Sequence, residues 1–284
     1  MDLAELHRRS LAEFTDRVRR VRPDQWSAPT PCADWDVRAL VNHVVGEDRW
    51  TAPLFAGATI VEVGDRFDGD LLGADPAGNT AEAAKEAEAA VGEPGALDRT
   101  VHLSFGETPA REYAEQLLAD HLVHAWDLAV AIDADPRLDA EAVHHCAAWF
   151  AAREELYRGA GAIGPAVDVP PGAGEQDRLL AAFGRDPGWS ATGALLGRFN
   201  AAFAAGDVDA VMALMTDDCV FESTSPAPDG VRHEGAAAVR AVWERLFADT
   251  AEPAFTSEET VARGDRGIVR WRFCDVCSVP EFGP

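Results

Sequence analysis

Asp120 and His124 lie four residues apart in the run Leu118-Ala-Asp-His-Leu-Val-His-Ala-Trp-Asp127. On a helix, side chains at this spacing leave the same face about one turn from each other. A carboxylate and an imidazole so placed can reach one cation. A second imidazole completes a ligand set common for zinc, and also for nickel, iron or manganese, with positions left over for water and substrate. His43, within Val37-Arg-Ala-Leu-Val-Asn-His43, is the natural donor from a neighbouring helix. His121 and Asp127 are rivals, because 121/124 and 124/127 are also helical neighbours. His144 and His145 adjoin, so at most one points inward. His7 and His102 read as surface residues. A lone interior histidine is more often a hydrogen-bonded core residue than a ligand, so spacing alone leaves the question open.

The remaining conspicuous side chains have plainer readings. Trp35, Trp126 and Trp149 occur at positions expected for core packing. Cys32 reads as a packing residue rather than a redox thiol. The five cysteines show no framework spacing, which suits a reducing compartment, and a cytoplasmic location is expected. With 25 Lys+Arg against 49 Asp+Glu, the formal charge of −24 repels phosphate backbones and anionic lipid, so neither nucleic acid nor a membrane is an expected partner. The first residues lack the apolar core of a secretory signal, and no apolar run reaches the length of a membrane span.

The elements that must position these groups follow from periodicity. Residues 2–21 place Leu3, Leu6, Leu11, Phe14 and Val18 on one helical face. Asp34 or Asp36 can cap a second helix over 37–55, which carries His43. Residues 57–80 read as a loop and 81–91 as a short helix. A small hairpin is expected at 100–106, then a long helix from Pro109 to about 132, and a fourth long helix over 139–158. Four such helices make a bundle. A short helix at 175–184 precedes a boundary near Trp189. Beyond it, helices at 191–205, 207–215 and 235–249 and strands at 218–224, 254–263 and 266–273 describe an α+β domain, a curved sheet wrapping a helix. At 284 residues, two domains is the expected organisation.

Two runs carry a family resemblance: Trp26-Ser-Ala-Pro-Thr-Pro-Cys32-Ala-Asp-Trp35-Asp36-Val37-Arg-Ala-Leu40-Val-Asn-His43, and Asp120-His-Leu-Val-His124-Ala-Trp126-Asp127-Leu128-Ala129. They resemble the signatures of the actinobacterial DinB-like, mycothiol-dependent maleylpyruvate isomerase N-terminal family. The ending Arg178 to Trp189 is similar to the close of that domain, so the resemblance spans residues 1–189. It implies a metal site, zinc first, at His43, Asp120 and His124. The family has Glu where this chain has Asp120, one methylene shorter. It further implies mycothiol or another low-molecular-weight thiol as cofactor and a small electrophilic substrate.

The run Leu195 to Glu222, with its Gly206-Asp207 turn and its Asp217-Asp218 entry into a strand, resembles the start of a SnoaL-like domain of the nuclear-transport-factor-2-like superfamily; the resemblance covers about 191–273 and the domain is assigned to residues 190–284. Such domains are cones that hold small molecules or dimerise. Asp217, Glu222, His233 and Trp243 are candidate pocket groups. The fold ordinarily continues with two more strands, so the cone is expected to be incomplete, with a homodimer partner as one source of cover. Residues 274–284, including Cys274-x-x-Cys277, read as a disordered tail.

The sequence therefore describes an α plus α+β protein, a four-helix bundle followed by a SnoaL-like cone. The expected function is that of a metal-dependent, thiol-using isomerase or transferase. The alternative is a ligand-binding or regulatory module with a structural metal and a dimerising second domain.

Overall fold

The computed structural model describes residues 2–224, 226–248 and 254–274. The chain divides into two compact units, residues 1–191 and 192–284. Cys277, and with it the cysteine pair expected near the end, lies outside the described residues.

Helix α1 (Leu3–Val18) buries Leu3, Leu6, Leu11, Phe14 and Val18 on one face, as its periodicity dictates. His7 shares that face and is fully buried, which corrects its assignment to the surface. The charged neighbours Arg8 and Arg9 disguise it, although position 7 continues the 3-6-10-14 stripe. Helix α2 (Val37–Phe55) starts where Asp36 accepts a hydrogen bond from the Ala39 amide. A one-turn helix α3 (Ile60–Val63) interrupts the expected loop, capped by Thr59 and Glu62 reciprocally.

Helix α4 (Pro76–Val91) begins five residues earlier than expected, because the Asp75 side chain accepts from the Gly78 amide and Pro76 presets the first turn. A hairpin of β1 (Thr100–Leu103) and β2 (Gly106–Pro109) leads directly into α5 (Ala110–Ala131). The four bundle helices are α1, α2, α4 and α5, which pack on one another in pairs. The small residues Ala83, Ala84 and Ala87 allow α4 to approach closely and take the place expected for the segment 139–158. That segment breaks into α6 (Ala140–Phe150) and α7 (Glu154–Gly159), and α6 packs beside α5 and α8 (Glu175–Ala182). Burying this many Leu, Val and Phe side chains, at about 1.5–3 kcal/mol each, fixes the rotation of α2 and α5 about their axes.

The second unit runs α9 (Ala191–Ala204), α10 (Val208–Met212), β3 (Val220–Ser223), β4 (Val231–Glu234), α11 (Ala236–Ala248), β5 (Ala254–Arg263) and β6 (Arg266–Cys274). Gly206, at φ 66°, makes the turn between α9 and α10, and Asp207 caps α10 through the Ala210 amide. Strand β4 has no counterpart in the expected element list. Among the described residues the strands form two separate antiparallel ladders, β3 with β4 and β5 with β6, because each pairs with its nearest neighbour in sequence. Phe203 centres the core, with the rings of Trp243, Phe247, Phe255 and Trp271 at 4.7–5.2 Å.

Candidate metal centre

Helices α2 and α5 turn His43, Asp120 and His124 toward one point. The Asp120 Oδ1 atom stands 3.5 Å from His43 Nε2 and 3.3 Å from His124 Nε2. One donor atom from each residue lies within 4.8 Å of the others. Nitrogen and oxygen ligands at about 2.0–2.1 Å from a tetrahedral zinc stand about 3.3 Å apart, so these separations suit a shared cation better than a direct hydrogen bond. The second carboxylate oxygen, Asp120 Oδ2, is buried with no hydrogen-bond partner. An orphaned carboxylate oxygen beside two imidazoles is costly without a cation, and the residues therefore fit a divalent metal.

The surroundings fix the ligand tautomer. His124 Nδ1 is 3.0 Å from Asp127 Oδ2, and an ionised carboxylate only accepts, so the proton sits on Nδ1 and Nε2 faces Asp120. Asp127 is fully buried. Burial opposes its ionisation, but His124 and Arg185 overcome this and hold its pKa below the usual value. The Arg185 guanidinium donates to both Asp127 oxygens at 2.9–3.3 Å and lies 3.1 Å from the Cys32 sulfur. Cys32 in turn donates to Asp127 over 3.4 Å. Cys32, His124 and Asp127 also bring donor atoms close together, but Arg185 already supplies the positive charge there. This outer group orients His124 rather than forming a second cation site.

Burial also disfavours charge on Asp120 and on His124. Their mutual attraction wins in both cases, holding Asp120 well below the usual carboxylate range and raising His124 well above that of an ordinary imidazole. Surroundings that favour a proton on His124 Nε2 favour a cation there too.

The constellation is not sealed. The side chains of His43 and Asp120 are 29% and 28% exposed, and they open on a cavity of about 280 Å³. Glu47, Tyr113, Gln116, Trp149, Tyr157 and Arg185 share its walls. Glu47 stands one turn after His43 on α2; burial, then the nearby Asp120 charge, pushes its carboxyl pKa up.

The rivals point elsewhere. His121 turns to a different face of α5, its Nε2 2.8 Å from Asp48 Oδ1 and its Nδ1 on the Leu117 carbonyl. Asp127 supports a ligand instead of being one of the convergent three. His144 pairs with Glu175 and His145 with Glu115, while His102 is half-buried on the hairpin. Trp126 is core, as expected. Trp35 and Trp149 pack against the core as expected and also face the site: Trp149 lines the cavity, and Trp35 lies over His43 at 4.7 Å and against His124 at 5.7 Å. Cys32 is part of a polar network and not a packing residue. Glu47 and Arg185 went unselected in the sequence; Glu47 had a signal, its i+4 spacing from His43, and Arg185 had only its place in the run Arg178 to Trp189.

In the second unit the candidate groups do not converge. Asp217 is exposed, Glu222 is exposed and paired with Arg232, and His233 stacks on Phe221 at 6.1 Å. Trp243 is buried, and among the described residues its Nε1 has no partner.

Residues 7–129 match the mycothiol maleylpyruvate isomerase N-terminal domain, and residues 196–276 match the SnoaL-like domain. This chain belongs to the mycothiol maleylpyruvate isomerase N-terminal family, fused to a SnoaL-like domain. Membership suggests a mycothiol-related, metal-binding, isomerase-like role for the family's domain here. Two uncharacterized proteins of Mycobacterium tuberculosis, from strains CDC 1551 and H37Rv, are each 35% identical over 193 residues, which covers 65% of this chain and 98% of theirs. A solved NTF2-like protein of unknown function from Mesorhizobium loti is 40% identical over 29% of this chain and 66% of its own, with a TM-score of 0.27. Among the described residues no helix is long and apolar enough to cross a membrane.

Proposed function

We propose that the first unit is a metal-dependent enzyme that uses mycothiol to isomerise, or to transfer the thiol to, a small electrophilic substrate, with His43, Asp120 and His124 holding the cation. Zinc is the first choice; nickel, iron and manganese accept the same donors. The observation that carries this reading is the convergence of three donors, with Asp120 Oδ2 unpartnered, at the wall of an accessible cavity. A structural metal of the kind found in closed sites would need a fourth protein donor instead.

Bound there, the metal supplies a lowered pKa for a coordinated thiol or water. The chain's own groups do the rest. Asp127 and Arg185 keep the His124 ring in one tautomer and orientation. Trp35 shields both imidazoles on one side, and Trp149 and Tyr157 give the cavity apolar faces. Glu47, on the wall beside Asp120, is placed to hold the proton that a thiol gives up. Addition of the sulfur to an electrophilic carbon–carbon double bond forms one C–S bond and moves the π electrons to the activating carbonyl oxygen. Rotation about the resulting single bond and expulsion of the sulfur return the thiol and give the isomer. Transfer stops at the protonated adduct.

The test is metal analysis of wild type and His43→Ala after dialysis, followed by mycothiol titration of cobalt-substituted protein. About one metal per chain in wild type, its loss in the variant and a thiol-dependent change in the cobalt spectrum are expected. Equal metal in both proteins, or a cobalt spectrum indifferent to thiol, would overturn the reading.

A further inference from the structure

Glu47, Tyr113 and Gln116 line the metal-site cavity on one side and a second cavity of about 270 Å³ on the other. Beyond that shared wall the second cavity is bounded by Trp50 and Leu54 from α2, by Ile60 from α3, and by Leu103, Ser104 and Phe105 at the hairpin tip. The hairpin is tied to the start of α3 by a bridge between Thr59 and His102, so these walls belong to one local framework. Phe105 is 72% exposed, an unusual position for a phenylalanine that has nothing to cover. Trp50 is held edge-on by Phe67, with ring centroids 5.9 Å apart.

We infer that this second cavity is the subsite for the uncharged, polyhydroxylated ring body of the thiol cofactor, the part that trails behind the sulfur at the metal. The inference rests on the thiol-using reading above. No Lys, Arg or His lines the cavity among the described residues, so an anionic group finds no counter-charge there. What it offers instead is three aromatic rings, three aliphatic side chains and a few hydroxyl, amide and carboxyl groups. Aromatic faces pack against the C–H faces of sugar-like rings, while Ser104 exchanges hydrogen bonds with ring hydroxyls. Reach agrees with this. From His43 to Leu54, α2 rises about 16 Å, which matches a cysteine arm followed by two linked rings. The polar side chains of the shared wall then lie where the arm's amide would pass. Cavity and metal site would together bind one extended molecule whose affinity comes mostly from the end that does no chemistry.

Three probes separate the subsite from the metal chemistry. These are mycothiol; N-acetylcysteine, which is the thiol arm alone; and N-acetylglucosaminyl-inositol, which is the ring body alone. Zinc-loaded full-length protein is titrated with the two thiols, and the ring body is followed by ligand-observed NMR with and without zinc. Mycothiol is expected to bind at least about tenfold tighter than N-acetylcysteine. Phe105→Ala and Trp50→Leu should each weaken mycothiol about five- to tenfold, leave N-acetylcysteine unchanged and reduce ring-body binding without regard to metal. Because Phe105 is exposed, its variant tests binding without threatening the fold. A ring body that does not bind, or mycothiol affinity that both variants leave at the wild-type value, overturns the inference. If neither thiol engages the metal while the ring body still binds in a Phe105-dependent way, the enzymatic reading fails and the subsite stands.

Discussion

Two clusters of imidazoles and carboxylates lie back to back in the bundle, built from the same two helices. One is His43, Asp120 and His124; the other is Asp48 and His121, with His7 from α1 edge-on to His121 at 5.5 Å. The second cluster is sealed: His7 and His121 are 0% exposed and Asp48 is 1%. Its ion pair is direct, at 2.8 Å, and both His121 nitrogens face acceptors, so its proton has two fixed neighbours. Burial disfavours the charged ring, yet Asp48 wins and raises the His121 pKa. Among the described residues each cluster keeps one carboxylate oxygen without a partner, Asp120 Oδ2 in the first and Asp48 Oδ2 in the second; the first differs in its longer donor separations and its open side. Residue types are thus nearly the same in both; room for a cation and access to a cavity make the difference.

The largest expected effect breaks that comparison outright. Asp120→Asn should reduce metal content from about one per chain to background, while Asp48→Asn should leave it unchanged, as read by elemental analysis of dialysed protein. Metal loss from the Asp48 variant alone would mean the roles are reversed. The next effect is on the sealed side: Asp48→Asn leaves a charged or unpaired His121 in the core, and should cost about 3–5 kcal/mol in urea unfolding. Asp127→Asn weakens the orientation of His124, and should lower zinc affinity about 10–100-fold in chelator competition. Asp127→Asn binding zinc as tightly as wild type would show that the outer carboxylate does not matter.

The smallest effect concerns pH. Burial, and then the charge of His121, lowers the His7 pKa well below 6.5 in the folded protein. Below the unfolded value of 6.5 the unfolded chain therefore binds a proton that the native chain refuses, and stability falls as pH falls, by up to about 1.4 kcal/mol per pH unit. His7→Leu should remove this contribution, so the difference in unfolding free energy between variant and wild type should move in the variant's favour from pH 7 to pH 5. A constant difference over that range would show that His7 is protonated or hydrated in the native state.

What the sequence disclosed follows the reach of each signal. Local signals were accurate: the Asp36 cap and the apolar stripe set α2 at Val37–Phe55, and the Asp120/His124 spacing placed both on one face. His43 joined them as the histidine of the neighbouring helix, and its place in a signature run reinforced that choice. Signals that depend on tertiary partners were lost. The break between α6 and α7 at residues 151–153 contains neither Gly nor Pro. Arg185 reaches Asp127 across 58 residues, and Cys32 does so across 95. His7 was hidden by the arginines that follow it. In the second unit, Asp217 and Glu222 had the right chemistry for a pocket and stand in solvent, because a carboxylate beside a turn has no local cue for which way it will face.

Asp120 and His121 are successive residues that serve different faces of α5. Each step along a helix turns it by about 100°, so sliding this segment by one position would present His121 where Asp120 stands and ruin both groups together. The hidden Asp48–His121 contact consequently acts as a keyway for the rod. It adds to the apolar packing that sets the angle of α5 against α2, through a bond that no visiting molecule ever meets.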